Sequence, residues 1–344
     1  MDKKQARILG IESSCDETAA AVITEGRIIE SSVIASQVKL HAKFGGVYPE
    51  IASREHVKVI ETTVEKALEE AHLTLNDMDA IAVTRGPGLA GSLVVGVNFA
   101  KALAFSAGLP IIGVNHLEGH IYSAWLYPAG GKASPEPEFP LLGLLVSGGH
   151  TELILMQDHL VYKRLGGTLD DAAGEAFDKV ARLLELPYPG GPSIQKAAQH
   201  GNQDAFNFPK ARLQSNYDFS FSGLKTAVLR TVEDIKRSGK ALPTQDLAAS
   251  FQAAVVSALF EKSIAAAKEY QVKEIIVAGG VSANKALRNA FLSQKEYRVH
   301  IPSLNLCTDN AAMIAAAGYY HFINNSIDDF SFDVEPNWSL SYQV

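Results

Sequence analysis

Two histidines four residues apart, His116 and His120, carry the clearest chemistry in the sequence. On a helix, residues at i and i+4 share one face, so both imidazoles can bind a single metal ion. A third ligand is needed, and Asp309 supplies a carboxylate at the predicted start of the last helix. Two histidines and a carboxylate with open positions suit Fe(II) or Zn(II). The alternatives are imidazoles on the protein surface and a helix-capping role for Asp309.

A glutamate next to such a histidine pair is also a feature of zinc proteases, whose motif is His-Glu-x-x-His. Here the glutamate, Glu118, comes one position later. Because each helical residue turns the chain by about 100°, Glu118 lies roughly 200° from His116 and faces away from the metal. The sequence therefore excludes a protease of this type.

Two pairs of glycines follow predicted strands. The segment 147–151, Ser-Gly-Gly-His-Thr, joins two strands, and its glycines let backbone N–H groups approach a phosphate closely. The segment 278–284, Ala-Gly-Gly-Val-Ser-Ala-Asn, opens a helix, whose N-terminus favours an anion. A plain hairpin turn and a helix cap are the alternatives. Neither segment is a P-loop or a Gly-x-Gly-x-x-Gly fingerprint, so neither of those nucleotide-binding folds is expected.

The elements that position these residues follow from the hydrophobic periodicity. Both halves open with an apolar strand, a polar turn and a second strand, which predicts an α/β protein of two related lobes with a ligand cleft between them. A proline- and glycine-rich linker, 127–140, separates lobe 1–126 from lobe 141–308, and the segment 309–344 is expected to pack back on the first lobe. The predicted strands are 7–11, 20–24, 28–34, 80–84, 111–114, 141–146, 152–156, 160–163 and 274–278. The predicted helices are 53–71 (capped by Ser53, with an apolar stripe that begins at Val57), 92–107, one from residue 283, and 309–322.

Composition narrows the class of protein. With 344 residues, 47% of them hydrophobic, the chain is long enough for two domains with buried cores. Its apolar stretches fall short of the ~18 residues that a membrane-spanning helix needs, and its first residues lack a signal-peptide core. Its two cysteines, Cys15 and Cys307, form no metal knuckle. We therefore expect a cytoplasmic protein with no membrane partner, and the formal charge of −7 argues against binding nucleic acid through bulk charge.

The glycine turns at 148–149 and 279–280 resemble the second phosphate loop and the adenosine loop of the ASKHA superfamily of actin-like and RNase H-like proteins. The small-residue run 311–318 resembles one of its connecting helices. The resemblance implies two duplicated lobes with a nucleotide and metal cleft between them. Glu12 and Ser13 depart from the superfamily, because its kinases have Asp and Gly there. This argues against a small-molecule kinase, which stays as an alternative.

A more specific resemblance covers nearly the whole chain. The sequence is identified as a member of the TsaD family, the tRNA N6-adenosine threonylcarbamoyltransferases. Eight strings of residues carry the resemblance: 11–18, 41–50, 85–89, 115–120, 145–151, 174–179, 219–225 and 279–284. It implies transfer of a threonylcarbamoyl group from threonylcarbamoyl-AMP to N6 of adenosine 37, in tRNAs that read codons beginning with A, with release of AMP. It also implies the partners TsaB and TsaE and an upstream threonylcarbamoyl-AMP synthase.

The resemblance also implies roles for individual residues. His116, His120 and Asp309 would hold one metal ion, with iron the usual assignment and zinc the alternative. The nucleotide, which is threonylcarbamoyl-AMP or ATP/ADP with or without Mg²⁺, would contact Leu145, Val146, Ser147, Gly148, Gly149, Asp178, Gly191 and Asn284.

Two acidic residues are candidates for removing the proton from N6, namely Glu12 and Asp16. The exocyclic amine of adenine is a poor nucleophile, so positioning and carbonyl polarisation should carry most of the rate enhancement. Asp178 is expected to accept a hydrogen bond from the ribose or the threonyl part, and a helix surface charge is the alternative.

Two stretches are candidates for contact with tRNA. In 207–240, seven basic and three acidic residues give a net charge of +4, and charge reversal at Lys225 or Arg230 is expected to weaken tRNA binding. The basic residues are Lys210, Arg212, Lys225, Arg230, Lys236, Arg237 and Lys240. Three rings in this stretch could stack on a base, but core packing is favoured for them: Tyr217, Phe219 and Phe221. The second candidate is 41–56, with Lys43 and Arg54.

The predicted helix around Leu93, Val97 and Ala100 is a candidate docking face for TsaB, with plain core as the alternative. A further alternative function is a binding scaffold whose nucleotide only regulates partner docking. Such a scaffold would tolerate His116→Ala, whereas the transferase would not.

Overall fold

The computed structural model describes residues 3–211, 213 and 215–340. The strands are β1 (Arg7–Glu12), β2 (Glu17–Thr24), β3 (Ile28–Ser36), β4 (Ala80–Gly86), β5 (Ile111–Asn115), β6 (Tyr127–Pro128), β7 (Leu141–Val146), β8 (Thr151–Asp158), β9 (Val161–Gly167), β10 (Glu274–Ala278) and β11 (Arg298–His300). The α-helices are α1 (Val38–His41), α2 (Pro49–Glu70), α3 (Ala90–Ala107), α4 (His116–Tyr122), α5 (Ala173–Leu183), α6 (Gly190–Ala198), α7 (Ser222–Arg237), α8 (Thr244–Glu269), α9 (Lys285–Ser293), α10 (Leu304–Cys307) and α11 (Ala311–Ile323). Short 3₁₀ helices are Lys3–Gln5, Ala42–Phe44, Leu75–Asp77, Ser123–Trp125 and Gly280–Ala283.

The chain divides into two compact units, which we call unit 1 (Met1–Pro137 with Pro302–Val344) and unit 2 (Glu138–Ile301). Each contains one sheet, with strand orders β5-β4-β1-β2-β3-β6 and β11-β10-β7-β8-β9. Both sheets begin with three antiparallel strands, β1–β3 and β7–β9. The next strand, β4 or β10, pairs in parallel with the first, and the one after it, β5 or β11, pairs in parallel with that strand. The two units therefore repeat one α/β plan, which confirms the predicted duplicated lobes.

Unit 1 buries both faces of β1, which explains why this strand is a continuous apolar run. Leu9 and Ile11 join a core with residues of α2 and α3. On the other face, the small residues of α11 allow a close approach: a Cβ on Gly10 would lie 2.8 Å from that of Ala315, and one on Gly318 would lie 2.4 Å from that of Ala82. The alanine- and glycine-rich sequence of α11 thus fits it to pack directly on the sheet.

Unit 2 packs α5, α7 and α8 on its sheet around one core. Leu144 and Leu153 of the sheet contribute to it, as do Phe177 of α5 and Phe251 of α8, whose rings meet edge to face at 5.2 Å. The core fixes α5, which carries the predicted ligand residue Asp178.

The helix predicted at 53–71 differs from the structure at its start. It begins at Pro49, with Tyr48 at the N-cap, because proline suits the first position of a helix. Ser53 is therefore no cap, and its hydroxyl donates to the Pro49 carbonyl. Val57 was predicted to belong to the buried apolar stripe, but it is 64% exposed because it lies on the solvent side of α2.

Other predicted boundaries also shift. The linker at 127–140 includes β6, which pairs in parallel with β3, so it is not wholly irregular. The helix expected from residue 283 begins at Lys285, because the side chain of Asn284 caps it. Asp309 lies before α11 rather than within it, and Asn310 is the cap.

Two helices in the described part of the chain, α3 with 18 residues and α8 with 26, are long and apolar enough by length and composition to cross a membrane. The apolar stretches of the sequence predict no such segment. Helix α3 packs on α2 and β4, and α8 packs on α6 and β7. Core helices pass the same test, so these two are weak evidence for a membrane span.

Candidate functional site

The two predicted metal-binding histidines lie on α4, directly after β5. Asn115 ends the strand, and its side chain accepts a hydrogen bond from the Leu117 N–H (2.9 Å), which caps the helix. This cap sets the first turn so that His116 and His120 project from one face, with ring centroids 4.7 Å apart. Both histidines are buried.

Asp309 lies next to both imidazoles. Its Oδ1 is 3.4 Å from His116 Nε2 and 3.3 Å from His120 Nε2. Because Asn310 caps α11 through a hydrogen bond from the Met313 N–H, the Asp309 carboxylate is not used as a cap. One potential ligand atom from each of the three residues lies within 4.8 Å of the others.

His120 shows that this cluster suits a cation. It is buried, and neither ring nitrogen has a hydrogen-bond partner among the described residues, although Nε2 lies 3.3 Å from Oδ1 of Asp309. Buried polar atoms are usually satisfied, so an orphaned imidazole beside a carboxylate and a second imidazole calls for another group. Two histidines and a carboxylate form a donor set that fits a divalent metal.

Glu12 fixes the orientation of His116. This fully buried carboxylate accepts hydrogen bonds from the Ser14 N–H (2.5 Å) and the Thr84 hydroxyl (2.6 Å). Its Oε2 also lies 3.0 Å from Nδ1 of His116. A proton on Nδ1 leaves Nε2 as the metal-facing nitrogen, which is the arrangement that supports a ligating histidine. Glu12 was predicted to accept the proton from N6 of adenosine. Both of its carboxylate oxygens already have hydrogen-bond partners within the protein.

Charges within the cluster shift the pKa values of its members. Burial alone would lower the pKa of His116, but Glu12 and Asp309 together raise it well above 6.5. Burial dominates for His120 and lowers its pKa, which favours the neutral ligand form. The pKa of Asp309 is held well below its usual range because His116 outweighs the cost of burial.

Asp16, the other predicted proton acceptor, lies in the turn between β1 and β2 and is buried. Its neighbour Glu17 was not predicted. Burial, then the charges of Asp309 and Asp16, raise the pKa of Glu17 to about 9. In the sequence, Glu17 stands out only as a member of a local cluster of acidic residues. The effect of Asp309 on its pKa could not be predicted, because Asp309 lies nearly three hundred residues away in the chain.

Glu118 lies away from the metal-binding cluster, as its helical position predicted. Its Oε2 is 2.9 Å from Nε2 of His321 on α11, and both side chains are buried. It therefore serves a contact between two helices and cannot act as the base of a zinc protease.

Unit 2 holds a cavity of about 250 Å³. Four of the eight predicted nucleotide ligands line it: Gly148, Asp178, Gly191 and Asn284. A Cβ built on Gly148 or Gly191 would meet no atom within 4 Å, so the backbone there is open to a ligand. The cavity combines exposed glycine backbone with one carboxylate, as a nucleotide pocket requires.

The remaining predicted nucleotide ligands do not line this cavity. Leu145 and Val146 are buried in β7, and the Ser147 hydroxyl accepts from the His150 N–H at 3.1 Å. Val146 has a supporting role, because Gly279 (φ +91°) packs so closely that a Cβ on it would lie 2.5 Å from the Val146 carbonyl oxygen. Gly149 is exposed in the β7–β8 turn.

Two cavity side chains are already engaged by the protein. Asp178 accepts from the Gly190 N–H at 2.7 Å, and burial raises its pKa. Asn284 caps α9 through the Ala286 and Leu287 N–H groups and donates to Gln252. The cap that the sequence offered as an alternative for this segment is therefore present. Six further lining residues were not predicted as ligands. Phe177, Val281 and Ala283 lie within the motif strings 174–179 and 279–284, whereas Pro189, Pro192 and Gln195 lie outside every motif string.

Two observations concern the basic stretch 207–240. Its three rings are buried in the unit 2 core, as predicted. Four of its cations form ion pairs within unit 2: Lys210 with Glu261, Lys225 with Asp171, Lys236 with Glu185, and Arg237 with Glu233 and Asp234. Arg212 lies outside the described residues.

The helix face proposed for TsaB docking is core instead. Leu93, Val97 and Ala100 are all buried, because α3 turns this face toward the sheet of unit 1. These residues therefore provide no docking surface.

The two units and their sites define the class of protein: an ASKHA-fold α/β protein with a donor set for a divalent metal and a glycine-lined pocket. Solved structures show the same fold at low sequence identity. HypF from T. kodakarensis has a TM-score of 0.64 at 14% identity, covering 93% of this chain and 48% of its own. Component A of (R)-2-hydroxyglutaryl-CoA dehydratase from Acidaminococcus fermentans has a TM-score of 0.52 at 15% identity, covering 93% and 99%.

Sequence relatives identify the family. The profile of the TsaD family, described as tRNA N6-adenosine threonylcarbamoyltransferase, matches residues 28–316. Proteins of that name from Thermomicrobium roseum and Dehalococcoides mccartyi are each 53% identical to this chain, over 352 and 335 aligned residues. The alignments cover 97% of this chain and 96% and 99% of the relatives. The chain belongs to the TsaD family.

Proposed function

We propose that this protein transfers a threonylcarbamoyl group from threonylcarbamoyl-AMP to N6 of adenosine 37 in tRNA and releases AMP. The observation that carries the proposal is the buried donor set of His116, His120 and Asp309 in a chain of the TsaD family. The orphaned nitrogens of His120 support a bound cation, and the glycine-lined cavity of unit 2 supports a nucleotide.

His116, His120 and Asp309 would hold the metal, for which we propose Fe²⁺, with Zn²⁺ as the alternative. When bound, such an ion supplies Lewis acidity toward the carbamoyl carbonyl. Glu12 is a positioning residue in this proposal, because it keeps the Nδ1 proton of His116 and so presents Nε2. Asp16 is the acidic group proposed to accept the N6 proton. Glu17 is not assigned this role, because its pKa of about 9 keeps its carboxyl group protonated at neutral pH.

The cavity of unit 2 is proposed to hold the nucleotide part of threonylcarbamoyl-AMP, or ATP/ADP with or without Mg²⁺. The open backbone at Gly148 and Gly191 would face phosphate oxygens. The Gly190 N–H occupies only one acceptor site of the Asp178 carboxylate. Asp178 would therefore still be able to accept a hydrogen bond from a ribose hydroxyl. Leu145, Val146 and Ser147 would act by supporting the glycine turns, and Asn284 by fixing the start of α9.

The proposal includes partners and a compartment. It assigns TsaB and TsaE as companion proteins, a threonylcarbamoyl-AMP synthase as the source of the donor, and the cytoplasm as the location. A strong net negative charge of −7 fits a protein that binds tRNA through restricted surfaces and with help from partners.

Product analysis tests the proposed function. The protein is mixed with unmodified tRNA, threonylcarbamoyl-AMP, TsaB and TsaE, and the tRNA is digested to nucleosides for mass analysis. We expect adenosine to gain a threonylcarbamoyl group in equal amount to the AMP released. Phosphoryl transfer from ATP to a small molecule would support the kinase alternative. Full partner binding without modified nucleoside, and with no effect of His116→Ala, would support the scaffold alternative.

A further inference from the structure

Two large aromatic side chains are exposed on the connection between α1 and α2. Phe44 is 54% exposed and Tyr48 is 52% exposed, and their ring centroids lie 5.9 Å apart at 45°. We call residues 42–48 the aromatic loop. Exposed rings in contact with each other provide flat apolar surface that the fold does not use.

A buried histidine holds the aromatic loop in place. His41 has no exposed surface, its Nε2 lies 3.1 Å from Gln37 Oε1, and its Nδ1 accepts the Tyr48 N–H at 3.2 Å. Gly45 adopts φ +71°, a left-handed conformation that favours glycine, and closes the turn. The backbone on both sides of Phe44 is thus fixed, so the two rings are preorganised for a ligand.

The aromatic loop is anchored to the turn that orients the metal-binding cluster. The Gln37 N–H donates to the Asp16 carbonyl (3.0 Å), and His56 Nε2 lies 2.9 Å from the Cys15 carbonyl. One residue earlier, the Ser14 hydroxyl lies 3.2 Å from His116 Nδ1. Hydrogen bonds from the aromatic loop to Asp16, the backbone of residues 14–16, and the contact of Ser14 with His116 therefore connect the rings to His116 within unit 1.

The charges around the rings favour a polyanion. In 39–54 there are three cations, Lys39, Lys43 and Arg54, and one carboxylate, Glu50, so the segment carries +2 in a chain of −7. All three cations are exposed, and none forms an ion pair with a described residue. Four cations of 207–240, by contrast, are paired. Unpaired cations beside aromatic rings are the arrangement that binds single-stranded nucleic acid.

Resting on the proposed function, we propose that Phe44 and Tyr48 stack on an unpaired base of the tRNA loop that carries the target adenosine. Lys39, Lys43 and Arg54 contact the phosphates beside it. Stacking is sequence-tolerant because every base has a π-face, so the aromatic loop holds the RNA strand near the metal-binding cluster without selecting its sequence.

The test uses the full chain together with TsaB and TsaE, and an unmodified tRNA that carries 2-aminopurine next to the target adenosine, because stacking quenches this base. We expect wild-type protein to quench it, and Phe44→Ala or Tyr48→Ala to reduce the quenching and raise the Kd for tRNA roughly 5-fold or more. Phe44→Tyr and Tyr48→Phe should retain both signals. Phe105→Ala is the matched control, since Phe105 is 77% exposed on α3 of the same unit and is remote in sequence.

Each outcome decides the proposal. One outcome is that the quenching and the Kd are both unchanged in Phe44→Ala and Tyr48→Ala while wild-type protein still forms the modified nucleoside. That result would overturn the proposed stacking of the aromatic loop on tRNA and leave the proposed function intact. Loss of nucleoside formation with unchanged tRNA binding would instead indicate a protein partner on the rings. Absence of both tRNA binding and nucleoside formation in wild type would overturn both proposals. Equal metal content in all variants shows that they are folded.

Discussion

Oε2 of Glu12 lies 3.0 Å from Nδ1 of His116, and Oδ1 of Asp309 lies 3.4 Å from Nε2 of the same ring. One imidazole is therefore held between two carboxylates with separate tasks. Glu12 is fully buried and hydrogen-bonded by the protein. Asp309 instead lies next to Nε2 of both His116 and His120, which are the nitrogens that would bind the metal. We therefore expect Asp309 to affect metal binding directly and Glu12 to affect it through His116.

Glu12→Gln is expected to weaken metal binding by roughly 10-fold to 100-fold. The carboxamide has one acceptor oxygen, so it cannot accept from both Ser14 and His116, and the orientation of the ring is lost. Metal affinity is measured by titration of the metal-free protein. Thr84→Ser, which keeps the hydroxyl that donates to Glu12, serves as the matched control. Retained affinity with loss of kcat alone would instead show Glu12 to be the proton acceptor.

Metal removal is expected to lower stability in wild-type protein. A ligand that binds only the folded state adds about 2.7 kcal/mol at a free concentration of 100 times its Kd. Thermal unfolding with and without a chelator, followed by addition of Fe²⁺ or Zn²⁺, measures the effect. His120→Ala should remove the metal-dependent increase in Tm, because the orphaned imidazole would no longer contribute a ligand. An equal increase in that variant would show that the ion binds elsewhere.

The ion pair between Glu118 and His321 predicts a pH-dependent contribution to stability. Burial lowers the pKa of His321, but Glu118, with a smaller contribution from Asp328, raises it above 6.5. A raised folded-state pKa means that the stabilisation is fully present below about pH 6.5 and is lost as the pH rises through the folded value. His321→Gln should therefore cost roughly 3 kcal/mol at low pH and less at high pH. Denaturant unfolding at several pH values measures this, and a pH-independent difference would contradict it.

Charge reversal in the basic stretch is expected to weaken tRNA binding. Arg230 is exposed, so Arg230→Glu should raise the Kd and reduce the slope of log K against log salt by about one for each lost phosphate contact. Lys225→Glu should do the same but also disturb unit 2, because Lys225 is paired with Asp171. A salt titration of tRNA binding measures both slopes. Lys268→Glu, which breaks an exposed pair with Glu296 outside this stretch, controls for general charge effects. An unaltered slope for Arg230→Glu would exclude this surface.

Most of the fold could be predicted, because the local sequence patterns agree with the overall fold. Apolar strands, glycine turns and the motif strings identified the duplicated α/β plan and the TsaD family, and both are confirmed. Ser53 and Val57 were misassigned because periodicity alone does not locate a helix start or its solvent face, whereas Pro49 did. The site was harder to predict, since the pKa of Glu17 and the ion pairs of Lys210 and Lys225 depend on residues distant in sequence.

The proposed role of the metal-binding cluster is tested most directly by single-turnover transfer at defined metal occupancy. Metal-free protein, reconstituted in steps, is mixed with TsaB, TsaE, tRNA and threonylcarbamoyl-AMP, and the modified adenosine is counted by nucleoside mass analysis. We expect product to rise in proportion to bound metal in wild type and to stay at background in Asp309→Ala. Full product from metal-free protein, or from Asp309→Ala, would contradict it.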